Sequence, residues 1–333
     1  MLSANFNGII VTIFLSILTV FDAISYILYV LLIIFLTKEF FKKESEVKSE
    51  FFIILVFNGI LDVLFITEEY LSFRIPQFGF FRDFYLDTFS KSFLSGVCYV
   101  YSICQSNYMF LSGITITFNR YFAIKFPTRY RIFWSGWKVF LLIIWPLFIT
   151  LPIFFKYISA EGIYIEDNIG RLSVTFVNLN VSNDIWMTST YIHCISLLIN
   201  LILTVMLILT ARKKSRNSKG QNNSMKIDIM LTKYAFVYFI MFGLLVSIEI
   251  PMLIATNLGA YDLANNMFTL IALCQSTMIF FPPYGMLFLS KELRKKFLLS
   301  LCKKEINDNV LSITKSSTQP RNTRTRVRNQ NAL

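Results

Sequence analysis

Apolar residues fall in long blocks along this 333-residue chain, divided by shorter polar connections. A helix needs roughly 20 mostly apolar residues to cross a bilayer. Seven runs reach that length: 9–36, 51–70, 96–118, 139–157, 187–210, 232–256 and 266–289. The first is too long for a single span without tilt or an exposed first turn. The second and third are interrupted by polar residues, but the stretches between the breaks remain long. No repeat at a fixed period of about 20–50 residues is present. The pattern predicts an all-α membrane protein, a seven-transmembrane helix bundle. Met1–Gly8 carries no Lys or Arg, so the first run reads as a retained helix and not as a cleaved leader.

Composition agrees and adds a direction. The chain is 55% hydrophobic and 16% charged, with 35 Phe, too little charge to cover a water-facing surface of this size. Lys and Arg are enriched in loops on the cytosolic side of a membrane. Twenty-two of them fall in the odd-numbered connections and the near part of the tail. Only Arg74, Arg82, Lys91, Lys156 and Arg171 fall on the opposite side. The N-terminus is therefore expected outside and the C-terminus in the cytosol. The net charge of +12 is then a topology signal and a contact for anionic lipid, not a nucleic-acid footprint. Residues 1–301 are expected to form the membrane domain, with an amphipathic helix over 290–301, and residues 302–333 a disordered cytosolic tail.

Catalytic and metal chemistry is poorly represented. His193 is the single histidine, so a site built on several imidazoles is excluded. It lies near the outer end of the fifth run, where the simplest reading is a hydrogen-bonded residue at the membrane interface. GxGxxG, GxxxxGK[ST] and HExxH are absent, and Cys98, Cys104, Cys194, Cys274 and Cys302 show no CxxC spacing. No catalytic residue, cofactor or metal site is assigned. Charge inside a span is costly and usually faces the bundle interior. Three acids lie within the runs: Asp22, Asp62 and Glu249, the last two residues before Pro251. Each reads as an ion, ligand or switch site; the alternative for Asp22 is an interface position near the outer end of its helix, and for Glu249 a hydrogen bond that closes the helix broken at Pro251. Ser102 and Ser106, four apart, share one face of a helix.

Several motifs stand in order on these spans. Asn119-Arg120-Tyr121 ends the third and is followed by Pro127. Trp145 lies in the fourth, Asp62 in the second, Pro251 in the sixth and Pro282-Pro283-Tyr284 in the seventh, with Ser290–Phe297 after it. This set resembles the rhodopsin-like G-protein-coupled receptors. The stretches Asp22–Tyr29, Asn119–Tyr121, Phe126–Trp134 and Pro282–Tyr284 are similar to the nematode serpentine chemoreceptors of the gamma superfamily, and the resemblance covers about residues 20–301. It implies a chemosensory receptor in the plasma membrane, such as that of a sensory cilium. A small ligand would bind in the outer half between the third, fifth, sixth and seventh spans, with candidates Ser102, Gln105, Ser106, Glu249 and Gln275. Asn119, Arg120 and Tyr121 would engage a heterotrimeric G protein. Asp62, Glu249, Pro251, Pro282, Pro283 and Tyr284 would form the intramembrane switch or ion site.

The departures from that family are specific. Asn119 replaces the usual acid before the arginine, so the resting hold on Arg120 is weakened or supplied elsewhere. The connection 158–186 has no cysteine, so the usual disulfide to the third helix cannot form. Asn180-Val181-Ser182 is an acceptor sequon on the outer side, and Cys302 is a candidate for lipidation. A seven-span ligand-gated channel or transporter without G-protein coupling is the alternative class.

Overall fold

The computed structural model describes residues 2–41, 50–166, 170–217, 223–258 and 260–301. Four of its rods are single helices: α1 (Leu2–Phe40), α8 (Leu179–Asn217), α9 (Asn223–Asn257) and α10 (Tyr261–Leu289). Between α1 and α8 come α2 (Glu50–Glu69), α3 (Ile75–Gln77), α4 (Phe93–Lys125), α5 (Pro127–Phe133), α6 (Trp137–Ile144) and α7 (Leu147–Tyr157), then a hairpin of β1 (Gly162–Glu166) and β2 (Leu172–Phe176). Residues 291–301 are helical and belong to a separate compact unit beginning at Lys291. On that helix Leu293 and Phe297 are buried and Lys291, Glu292, Arg294 and Lys295 exposed.

The first helix shows why these rods belong in lipid. Ile13, Ile17, Val20, Ile24, Ile27, Leu31 and Ile34 are exposed, at a spacing of three to four residues, while Asp22 and Ser25 are buried. A helix in water does the reverse. Among the described residues five helices are long and apolar enough to cross a membrane, six if the bent pair α6 and α7 is one span. The remaining rod of the seven runs is α4. It is 33 residues long, but Ser95, Ser102, Gln105, Ser106, Asn107, Ser112, Asn119 and Arg120 are all buried along it. α4 packs against α2, α7, α8 and α9, so its polar side chains meet protein on nearly every face and its low hydropathy carries no penalty.

Three expectations are corrected. The second run does not stop at Tyr70: α2 continues through a π-helical turn, Tyr70–Arg74, into α3. Arg74, counted above with the outer loops, is therefore only 2% exposed and lies inside the bundle. The fourth run is not one helix: α6 and α7 meet at 42° across Trp145 and Pro146, because proline lacks the amide its predecessor turn requires. The all-α expectation overlooks β1 and β2, antiparallel in the register Gly162↔Phe176. Their Ile-Tyr-Ile and Leu-Ser-Val-Thr-Phe sequences are β-branched and aromatic, and Gly170 supplies a positive φ of 82° before the second strand.

This hairpin is fixed without a disulfide to the start of α4, to Ser90 before it and to the π-helical turn. Ser95 Oγ donates to Gly162 O at 2.7 Å, Tyr164 N to Ser90 Oγ at 3.0 Å, and Tyr164 OH to Ser72 O at 2.6 Å. Burial raises the Tyr85 and Tyr164 hydroxyls above the usual phenol range, which keeps both neutral and able to donate. Gly96 and Gly162 permit the approach: a Cβ on Gly96 would stand 1.9 Å from the backbone oxygen of Ala160. Gly96→Ala should lower stability by about 1–3 kcal/mol, read as a lower melting temperature of the detergent-solubilised protein. Gly243→Ala is the control, since a Cβ there meets nothing within 4 Å, and it should melt no lower than the parent.

Candidate functional site

Polar side chains on α4 fix the neighbouring helices before any site forms. Asn58 of α2 donates to Ser112 Oγ at 2.6 Å, and Trp145 Nε1 donates to Thr115 Oγ1 at 2.7 Å. Ser189 of α8 donates to Asn107 Oδ1 at 2.8 Å. Asp62 is held by α1, where Tyr29 OH donates to its Oδ2 at 2.8 Å. Above this level Arg74 reaches from the π-helical turn to Asp22 Oδ2 and, at 3.0 and 3.2 Å, to Glu69 Oε1. Asp22 Oδ2 also accepts from Tyr70 OH and Ser276 Oγ, each at 2.9 Å.

A cavity opens beside this ion-pair cluster. Its empty space, about 470 Å3, includes the solvent in its open mouth. Four of the five expected ligand residues line it: Ser102, Ser106, Glu249 and Gln275. Gln105 does not. It precedes Ser106 by one residue, about 100° round the helix, and is buried off the cavity face. α2 contributes as well as the four expected spans, through Phe65 and Glu69. Ser102 Oγ is bonded to Glu68 Oε2, so a third carboxylate of this region stands next to the cavity.

The main residue missed from sequence is His193. It is 1% exposed, lines the cavity, and its Nδ1 lies 2.6 Å from Glu249 Oε2. An interface position is thereby replaced by a buried pairing of α8 with α9. The ring also stacks on Phe110, centroids 3.8 Å apart and planes at 18°. From there a chain of ring contacts runs inward. Phe110 meets Phe242 at 4.5 Å, Phe242 meets Tyr238 at 4.6 Å, and Tyr238 stacks on Tyr234 at 6.0 Å. Tyr234 meets Phe51 at 6.0 Å. The guanidinium of Arg120 lies over the Phe51 ring, 4.1 Å from its centroid. Gly113 makes room for this chain, since a Cβ there would stand 2.4 Å from the Phe242 ring.

At that far end, Arg120 is buried and donates to Asn119 Oδ1, while Asn119 Nδ2 donates to Tyr130 OH at 3.1 Å. The carboxamide and an aromatic face thus stand where the related receptors use an acid. Tyr121 OH accepts from Lys125 Nζ. Pro282 and Pro283 lie within α10, and Tyr284 OH is 2.9 Å from Ser25 Oγ of α1. Pro251 is likewise inside α9, two residues beyond Glu249. These switch candidates sit on separate elements and do not form one cluster. Asn180 is exposed in the first turn of α8. Cys302 lies outside the described residues, as does the tail.

Removing one member of the buried, hydrogen-bonded His193–Glu249 pair leaves the other without that partner. His193→Phe and Glu249→Leu are each expected to destabilise the protein by about 3–5 kcal/mol. The double variant should lose less than the sum of the two. Thermal unfolding of all four proteins measures that coupling.

The family model for the serpentine type 7TM GPCR chemoreceptor Srv matches residues 18–302. No curated protein matches the chain. The match takes in every rod described above except the first residues of α1, together with the cavity, the Asn119-Arg120-Tyr121 end of α4 and residues 291–301. The chain belongs to the serpentine seven-transmembrane chemoreceptor family of the Srv type, and is a multi-pass membrane protein of receptor kind.

Proposed function

We propose that this protein is a G-protein-coupled chemosensory receptor of the plasma membrane, sited where sensory cells meet their surroundings. The observation that carries the reading is the cavity beside Glu249 and His193, joined to Arg120 by a continuous chain of rings. A small ligand binds there, among Ser102, Ser106, Glu249 and Gln275. Its differential affinity for two arrangements of the bundle is the only source of a signal. Interfaces packed as tightly as Phe110 on His193 shift between discrete states and do not deform smoothly. Pro251 and Pro282-Pro283 supply the weak points in α9 and α10 at which such a shift is absorbed.

Orientation follows from charge: the N-terminus outside and the basic connections in the cytosol. Asn119-Arg120-Tyr121 then faces the G protein. Release of Arg120 from Asn119 and Phe51 exposes a rigid fork of donors for that partner. Asp62, held by Tyr29, is the candidate ion or switch site midway. The helix 291–301 lies on the inner leaflet with its basic face toward anionic lipid, Cys302 is available for acylation and Asn180 for glycosylation. Placement in the gamma superfamily rests on Asn119-Arg120-Tyr121 and Pro282-Pro283-Tyr284. The role is recognition and signalling, with no catalytic step.

The test is a reporter cell expressing the full chain and challenged with a panel of small volatile and soluble compounds. Arg120→Ala should abolish the G-protein signal and leave ligand binding intact. Glu249→Gln should abolish or shift the dose response at unchanged surface expression. Unaltered coupling in the first, or a normal dose response in the second, refutes the assigned role. Ligand-evoked current that survives loss of G proteins would establish a channel instead.

A further inference from the structure

We infer that the cavity selects small organic cations, protonated amines above all, by setting acceptor atoms and aromatic faces against a surplus of carboxylate. The inference rests on the receptor reading above and names the chemical class of its ligand.

Three buried polar atoms on three different elements border this one space without a hydrogen-bond partner among the described residues. They are Glu69 Oε2, Ser106 Oγ and His193 Nε2, on side chains 5%, 5% and 1% exposed. A buried polar atom left unmatched costs stability, so three of them at one cavity mark a place where something else supplies the match. Their chemistry specifies what. Glu69 uses Oε1 for Arg74 and keeps Oε2 as a bare acceptor. His193 faces the Glu249 carboxylate through Nδ1. A neutral imidazole that donates there presents a lone pair at Nε2. Two acceptors and one adaptable hydroxyl ask for a ligand rich in N–H donors.

The charge balance points the same way. Asp22, Glu68, Glu69 and Glu249 surround this end of the bundle, and the guanidinium of Arg74 is already bonded to Asp22, Glu69 and Ala272 O. An anionic ligand would meet Glu69 and Glu249, and no Lys or Arg is among the described residues that line the space. A neutral, purely apolar ligand would leave all three atoms unmatched. An ammonium supplies both the donors and the missing positive charge, and charge-assisted hydrogen bonds are the stronger kind. The rings of Phe73, Tyr99, Trp186 and Phe268 line the same space, offering faces to which organic cations are attracted.

The experiment measures thermal unfolding of the purified full-length protein with matched compounds. Each triplet is an amine with its alcohol and carboxylate counterparts, beginning with 2-phenylethylamine, 2-phenylethanol and phenylacetate and extending to branched aliphatic sets. A compound that binds the folded state raises the melting temperature in a dose-dependent way. Amines should do so, and their neutral and anionic counterparts should do so at least about tenfold more weakly. Glu69→Gln should weaken the amine effect by about tenfold or more. Phe268→Leu, at a half-buried position that leaves the ion pairs intact, should weaken it about threefold or more. That second variant keeps the test sharp if Glu69→Gln does not fold. Equal or greater stabilisation by alcohols or carboxylates overturns the inference. So does an amine effect unchanged in both variants, or no effect of any amine. The reporter assay separates the two readings. A signal evoked by an alcohol or acid and lost in Glu249→Gln would refute the cation class and leave the receptor standing. Glu69-dependent amine binding with no G-protein signal would do the opposite.

Discussion

A polar group inside a bundle that faces lipid has no water to turn to, so it is matched by its own helix's backbone or by a neighbouring helix. α4 concentrates that constraint. Asn107, Ser112 and Thr115 bond in turn to α8, α2 and the bend between α6 and α7. Hydrogen bonds between membrane helices are individually modest, but each is directional and fixes the rotation of one helix against another. Above them, Arg74 joins Asp22 of α1 to Glu69 of α2. Beside the cavity Glu69 Oε2, Ser106 Oγ and His193 Nε2 have no hydrogen-bond partner among the described residues.

Much of this was legible along the chain because burial in lipid leaves a one-dimensional record. Long apolar runs marked the rods, and Ser102, Ser106, Glu249 and Gln275 stood out because polar residues are expensive in such runs. What was not legible depended on contacts made in three dimensions. Arg74 looks like a loop cation until the π-helical turn carries it inward to Asp22. His193, a lone histidine, shows nothing in sequence of the Glu249 carboxylate that faces it across two helices. The Glu68-Glu69 pair five and six residues before Arg74 was a usable signal, since acids at the end of a span with a nearby base often pair. The hairpin, too, was present in its alternating β-branched residues, but a chain dominated by helical runs draws attention away from five-residue strands.

Two features that the related receptors build with other groups are replaced here by physically different ones. The disulfide that would tie the outer connection to the third helix gives way to backbone contact between Gly96 and Ala160, with Ser95 and Ser90 bonding the first strand. The acid before Arg120 gives way to a carboxamide and the face of Phe51. Both substitutes are weaker individually than a covalent bond or a buried ion pair. A chain of rings runs from His193 to Arg120, and coupling energy measured along it would test whether its two ends are linked.

The proposed receptor role requires that the cavity open to the outside and be reached by ligand from there. The most direct measurement uses Ser106→Cys in a chain whose five native cysteines are replaced, expressed in intact cells. A membrane-impermeant, positively charged thiol reagent is added from the medium. Cys at this position should be modified without permeabilising the cells. Modification only after permeabilisation, or none at all, would contradict it.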